Sequence, residues 1–133
     1  MEQKGRERRQ SPRFGVSLRC DVSLPAEDED LLFPQARLEG RTRDVSESGI
    51  GVLLSSIYIG FACVVDEGRA LRLALSLPSG SVEMHATPAH YVRLDERGEQ
   101  TSYLVGLRIT EMSDDDRAHY IEYLSTLDKS QQV

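Results

Sequence analysis

Apolar and polar residues alternate along several separate segments of this chain, and that alternation constrains the fold more than any other feature. Successive side chains of a β-strand point to opposite faces, so alternation predicts a strand with one buried face. The first segment, residues 16–24, places Val16, Leu18, Cys20, Val22 and Leu24 on one face. Strand patterns recur at residues 36–44, 50–54, 71–77, 82–94 and 103–109. Six short, mostly antiparallel strands predict a small β-barrel.

Two further local signals refine this architecture. Pro88 lies inside the fifth segment and is expected to bend it, because proline cannot donate a ladder hydrogen bond. After residue 112 the pattern changes to helical spacing, with Ser113 as a good N-cap and acidic residues in the first turn. The apolar residues that would form the buried stripe of this helix are Tyr120, Ile121, Leu124 and Leu127. The helix is expected to pack on or across an opening of the barrel.

Charge divides the chain into parts. The net charge is −6 over 133 residues, yet residues 1–13 hold five basic and two acidic side chains, which gives this segment +3. A basic arm on an acidic body indicates a local anion site and argues against a protein that coats nucleic acid. We therefore divide the chain into a flexible N-terminal arm (1–15), a barrel with its helix (16–128) and a frayed tail (129–133).

The cysteines and the longest uncharged run bear on the cellular compartment. Cys20 and Cys63 have no metal-ligand spacing, which favours a reduced, structural role. The run from Ser48 to Val65 is uncharged, but glycines and serines interrupt it and it is too short for a spanning helix. The polar, charged start does not resemble a secretory signal. These features predict a cytoplasmic protein without a membrane span.

The basic arm contains the segment Arg8-Arg9-Gln10-Ser11-Pro12-Arg13. Pro12 favours an extended backbone, in which Arg9 and Arg13 lie up to about 13 Å apart. Two guanidinium groups at that spacing can clamp a ligand with several anionic groups, because arginine binds phosphate bidentately and stacks on flat rings. The alternative is a solvated basic tail with no ligand.

A second candidate motif, Asp44-Val45-Ser46-Glu47-Ser48-Gly49, joins the second and third predicted strands. The Asp44 carboxylate can accept two parallel hydrogen bonds from a guanine edge, and the Ser46 hydroxyl can bond a phosphate or base. Gly49 permits close approach of backbone and ligand. An Asx-turn between strands explains Asp44 and Ser46 equally well without any ligand.

Together these features resemble a known family. Arg9-x-x-x-Arg13 before the first strand, Asp44-x-Ser46-x-x-Gly49 between later strands, and a Val105–Ile109 strand that leads to a terminal helix are similar to a PilZ domain. The resemblance covers residues 8–127. It implies a six-stranded antiparallel PilZ-type barrel with a C-terminal α-helix and a flexible arm, and a bacterial receptor for the second messenger cyclic di-GMP with no other cofactor.

The resemblance also implies roles for individual residues. Arg9 and Arg13 would grip the phosphates and guanines, Asp44 and Ser46 would hold a guanine edge or phosphate, and Gly49 would leave room for the rings. Arg8 could stack on a second guanine, so that the protein holds two ligand molecules. Binding would order the arm, and an unidentified downstream protein would recognise the new surface.

Other functional classes are less well supported by the sequence. A PilZ-like adaptor that binds no nucleotide stays open as the alternative. A module for single-stranded nucleic acid needs exposed aromatics on a basic groove, whereas this chain has no Trp and three Phe. We find no enzyme motif or metal-ligand set; His85 and His90, five residues apart, are predicted to face opposite sides of a strand. Residues 55–68 are either a buried helix or loop, or an exposed patch for a partner or second protomer.

Overall fold

Strands dominate this protein, as the alternation predicts. A computed structural model describes residues 12–25, 36–95 and 101–131. In these ranges the strands are β1 (Phe14–Gly15), β2 (Arg19–Ser23), β3 (Arg37–Val45), β4 (Gly49–Leu54), β5 (Tyr58–Ile59), β6 (Ala62–Cys63), β7 (Leu71–Leu77), β8 (Gly80–Asp95) and β9 (Thr101–Glu111), followed by the helix α1 (Asp114–Gln131).

Six of these strands close into an antiparallel barrel. The order around it is β3–β2–β7–β8–β9–β4, and β4 pairs with β3 to complete the ring. The interior is filled by the apolar residues of each alternating segment, among them Val22, Val52, Leu73 and Val105, which are at most 1% exposed. The predicted fold class, a six-stranded antiparallel barrel with a C-terminal helix, is therefore confirmed.

The first predicted strand, residues 16–24, is shorter in the structure, and a separate two-residue strand precedes it. Both β1 and β2 lie along the same edge of β3, and residues 16–18 leave the ladder between them. The buried side chain of Thr42 provides hydrogen bonds for the backbone of this segment. Its hydroxyl donates to the Val16 carbonyl (2.5 Å) and accepts from the Leu18 amide (2.9 Å). The interruption separates a short segment next to the arm from the main strand. β1 thereby attaches the end of the arm to β3.

The fifth predicted strand is continuous but irregular. β8 runs through Pro88 with register shifts between His85 and Ala86 and between Pro88 and His90. The second shift, in which Ala89 is the extra residue of β8, corrects one expectation: His85 and His90 lie on the same outer side of the barrel. His90 is paired with Gly106, which lies between the inward-facing Val105 and Leu107, whereas His85 lies between the inward-facing residues 84 and 86.

Residues 55–68 form neither a helix nor a featureless loop. They contain the small β5–β6 hairpin, whose turn uses Gly60 at φ 62°. Its inner residues, such as Ile59 and Ala62, are buried, whereas Tyr58 and Phe61 are 56% and 84% exposed. The stretch is thus partly core and partly exposed aromatic surface.

The helix α1 begins as predicted, since the Ser113 hydroxyl accepts the Asp116 amide at 3.1 Å. Its buried side includes Tyr120 and Leu124, and Asp116 ties it to the barrel by accepting the Glu83 amide at 3.0 Å. The helix extends to Gln131, three residues beyond the predicted boundary at 128. The division into arm, barrel and tail stays a prediction. No helix in the described part of the chain has the length and apolarity needed to cross a bilayer.

The pH dependence of stability tests whether Cys20 is packed inside the barrel. Burial raises the pKa of its thiol to about 12, compared with about 8.5 in an unfolded chain. Above about pH 8.5 the Cys20 thiol loses its proton in the unfolded chain but keeps it in the folded chain. We therefore expect the free energy of unfolding to fall as pH rises through this window, by at most about 1.4 kcal/mol per pH unit from this group.

Urea unfolding at several alkaline pH values, on the wild type and on Cys20→Ala, measures this contribution. The variant should be less stable near neutral pH, because it leaves a small cavity, but its stability should decline less steeply with pH. Parallel declines in the two proteins would show that Cys20 is not protected by the barrel.

Candidate functional site

The end of the basic arm lies against the strand that carries the second motif. β1 pairs with the end of β3, so Phe14 is opposite Val45 and Gly15 is opposite Asp44. Arg13 immediately precedes this pairing, and its Nη1 donates to Asp44 Oδ1 at 2.9 Å. The two motifs, distant in sequence, therefore meet through one ion pair. Of the predicted arginines, Arg8 and Arg9 lie outside the described residues.

A β-bulge directs Asp44 outward. Thr42 pairs with Val52 and Asp44 with Gly51, so Arg43 is the extra residue of β3. Such a bulge changes which side chains face the interior. Thr42 and Val45 consequently point inward, while the Asp44 carboxylate lies over Gly51, with Oδ1 3.1 Å from where a Cβ at Gly51 would be. Glycine at position 51 thus provides the space that the carboxylate occupies.

Ser46 organises the turn between β3 and β4. Its side chain is buried, and the hydroxyl donates to the Gly49 carbonyl (3.1 Å) while accepting the amides of Gly49 (3.0 Å) and Ser48 (3.3 Å). The Ser46 amide also donates to the Gly49 carbonyl at 2.9 Å. The hydroxyl is therefore engaged within the turn, in agreement with the ligand-free alternative. Direct ligand contact by Ser46 stays a prediction.

Gly49 is explained by strand packing. A Cβ at this position would lie 2.8 Å from the Leu107 carbonyl oxygen of β9 and 3.6 Å from the Arg13 guanidinium. Because the first of these atoms belongs to the backbone, a side chain at position 49 would push β4 away from β9. Glycine therefore keeps the turn, β9 and Arg13 close together.

We expect Gly49→Ala to destabilise the protein by about 1–3 kcal/mol, since the new methyl group overpacks a backbone contact. Gly15→Ala is the matched control, because the nearest atom to its added methyl is a carbonyl oxygen at 3.9 Å. Thermal unfolding of both variants measures the difference. Equal melting temperatures for the two variants would contradict the packing explanation for Gly49.

The Arg13–Asp44 ion pair is weak enough to be exchanged for a ligand. The two side chains are 45% and 31% exposed, and exposed pairs contribute only about 0–1 kcal/mol. A phosphate can therefore replace the carboxylate as partner of Arg13 at small cost, because guanidinium–phosphate bonds are charge-assisted and bidentate. The pair holds the arginine in place without making it unavailable.

Tyr120 connects α1 to the same turn, a role that no sequence pattern indicated. Its side chain is 1% exposed, and its hydroxyl donates to the Ser46 carbonyl at 2.5 Å. Burial raises the pKa of Tyr120 well above its usual range. In the sequence Tyr120 was only one member of the apolar stripe. The structure shows that this stripe also supports the Asp44–Gly49 turn.

A groove between the arm and the helix fits an anionic ligand poorly. It has a volume of about 200 Å³ and lies between Phe14 and Leu124. Glu47 and Asp128 line it as well, so its carboxylates would repel phosphate. The exposed face around Arg13 and Asp44 is the better candidate.

Comparisons with known proteins bear on the fold as a whole. The family model of the PilZ domain matches residues 7–126. The PilZ domain of Escherichia coli YcgR, solved with c-di-GMP, has a TM-score of 0.65 at 18% identity, over 94% of this chain and 95% of that one. No curated protein sequence matches closely enough to count as a relative.

Two longer proteins share the fold. The Bacillus subtilis inhibitor of motility MotI/DgrA has a TM-score of 0.62 at 19% identity, over 94% of this chain and 51% of that one. K. pneumonia MrkH in its apo state has a TM-score of 0.69 at 11% identity, over 92% of this chain and 51% of that one. This chain therefore spans about half the length of each. Because the family model covers nearly the whole chain and the barrel is that of solved PilZ domains, the chain belongs to the PilZ domain family.

Proposed function

We propose that this protein is a receptor for cyclic di-GMP, which it binds through Arg8, Arg9 and Arg13 of the arm and through the Asp44–Gly49 turn. The observation that carries the proposal is the 2.9 Å contact between Arg13 and Asp44, which brings the two motifs together. Membership of the PilZ family supports the choice of ligand, as does the c-di-GMP complex of the YcgR domain.

The chemistry of the two side chains suits the two parts of this ligand. The guanidinium of Arg13 matches a phosphate, and the carboxylate of Asp44 matches the adjacent N–H donors of guanine. On binding, each would exchange its present ionic partner for a ligand group. Ser46 and Gly49 would act mainly by shaping the turn, since the Ser46 hydroxyl already bonds Gly49.

Signalling would follow from ordering of the arm. β1 anchors the end of the arm beside Asp44. The remaining arm would close over a ligand on the outer face of the barrel. Phosphates would neutralise the arginines and attach the arm to the barrel. A downstream protein would then recognise the combined surface of arm, ligand and barrel.

Calorimetric titration with cyclic di-GMP tests the proposal, with GMP as the matched control that carries one guanine and one phosphate. We expect saturable binding, tighter for cyclic di-GMP, and weaker as salt is raised toward about 1 M, where the Debye length is only about 3 Å. The measured stoichiometry also tests the two-molecule hypothesis for Arg8. Absence of binding at low salt would refute the receptor function.

An adaptor that binds no nucleotide is the second candidate. The exposed aromatic residues Tyr58 and Phe61 of the β5–β6 hairpin favour it, because exposed apolar side chains that lie together often mark a protein–protein contact. The same titration separates the two functions. An adaptor would give no heat of binding with cyclic di-GMP. A gel-shift experiment with oligonucleotides tests the remaining alternative, a module that binds single-stranded nucleic acid.

A further inference from the structure

On the outer barrel face beside Asp44, glycines of β4 and β9 leave an area of bare backbone, which we call the floor. Four residues lie in register across neighbouring strands: Asp44 of β3, Gly51 of β4, Gly106 of β9 and His90 of β8. Strands are about 4.8 Å apart, so this row is about 14 Å long. Two glycines therefore separate an anionic side chain from an imidazole on one exposed face.

The imidazole of His90 lies flat on this floor. The three atoms nearest to a Cβ built at Gly106 are Cε1 (2.4 Å), Nε2 (2.6 Å) and Nδ1 (2.9 Å) of His90. Three ring atoms at similar distances mean that the ring presents one face to the backbone of β9. Because His90 is exposed, its opposite face is open within the described part of the chain.

The position of this ring relative to Asp44 suits a planar ligand. The imidazole covers Gly106 and the carboxylate covers Gly51, and these glycines are directly paired, about one strand spacing apart. A purine stacked on the imidazole would extend over Gly51 and bring its hydrogen-bonding edge to the carboxylate. Stacking on a flat side chain and reading one edge is a common way to bind a base.

We propose that His90 is the stacking platform for one guanine of the ligand, with Asp44 bound to the edge of the same base. This inference rests on the proposed cyclic di-GMP binding and assigns a base-binding residue outside both arginine and aspartate motifs. Gly106 is its positioning residue, because any larger side chain there would displace the imidazole.

Open space adjoins the ring. A depression of about 710 Å³ is bordered by His90, Thr87, Arg108 and the acidic Glu67, and its lining does not include Asp44 or Gly51. The Thr87 hydroxyl oxygen is buried there without a hydrogen-bond partner among the described residues. Arg108 pairs with Gly49 across the sheet and adds positive charge beside the ring.

Titration of variants with cyclic di-GMP tests this assignment. His90→Ala should weaken binding roughly 5- to 150-fold, the range expected for loss of one stacked base. His90→Phe keeps a flat ring and should stay within a few-fold of the wild type. His85→Ala, on the same strand and outer side but outside the row, is the matched control and should bind normally.

Gly106→Ala provides an independent test without changing His90. Its methyl group would overlap the imidazole and force the ring off the floor, so binding should weaken as in His90→Ala. The double variant should lose little more than either single variant, because both remove the same platform. Circular dichroism of each protein confirms that the barrel is retained.

The outcomes distinguish the two levels of the proposal. Wild-type binding that His90→Ala leaves unchanged would overturn the stacking role while the receptor function stands. Equal losses in His90→Ala and His90→Phe would also overturn it, since they indicate a hydrogen bond from the imidazole. If the wild type itself does not bind cyclic di-GMP, the receptor function and the stacking role fail together.

Discussion

Arg13→Ala is expected to weaken cyclic di-GMP binding by about 10- to 150-fold, because hydrogen bonds to charged groups contribute about 1.5–3 kcal/mol. The fold should be unaffected, since the guanidinium is 45% exposed and its ion pair with Asp44 is worth little. Calorimetry gives the affinity, and thermal unfolding without ligand gives the stability. The affinity for cyclic di-GMP should fall strongly, whereas the melting temperature should change only slightly.

Two further variants sharpen this result. Arg93→Ala removes a more exposed arginine (62% against 45%), which pairs with Asp95 at 3.0 Å within β8, and should bind like the wild type. Arg13→Lys retains the charge but loses the planar fork, so its affinity should lie between those of wild type and Arg13→Ala. A normal affinity for Arg13→Ala would contradict the clamp. Equal losses in the Arg93 and Arg13 variants would indicate a general charge effect.

Tyr120→Phe is expected to lower the free energy of unfolding by about 1–3 kcal/mol. This is the second large effect that we predict. The substitution leaves the packing of the ring nearly unchanged but removes the donor to the buried Ser46 carbonyl. An unpaired buried carbonyl costs more than the net value of the lost hydrogen bond. Because Ser46 supports the turn that follows Asp44, we also expect a modest loss of ligand affinity. Urea unfolding and calorimetry measure the two effects.

Tyr123→Phe is the control on the same helix. Tyr123 is partly buried, and no hydrogen bond of its hydroxyl occurs among the described residues. Its stability should therefore change by less than about 0.5 kcal/mol. If Tyr120→Phe is as stable as Tyr123→Phe, the contact between helix and turn is not a structural support.

Much of this architecture was accessible from local patterns. Alternation located the six barrel strands because one face of each is buried, and Ser113 located the helix start because its hydroxyl caps an amide. Arg13 and Asp44 were predicted to act together, and the structure places them in contact. The boundaries of the first strand were wrong, because the buried Thr42 replaces ladder bonds that alternation alone implies.

The amino-acid pattern was sufficient for the six strands and the helix, because these depend on side chains that are near in sequence or repeat with a fixed period. The orientation of His90, its contact with Gly106, and the bond from Tyr120 to Ser46 could be seen only in the folded chain. Bulges in β8 shift the face that a residue presents, and no periodicity predicts where they fall. Contacts between distant strands depend on register, which barrel closure sets.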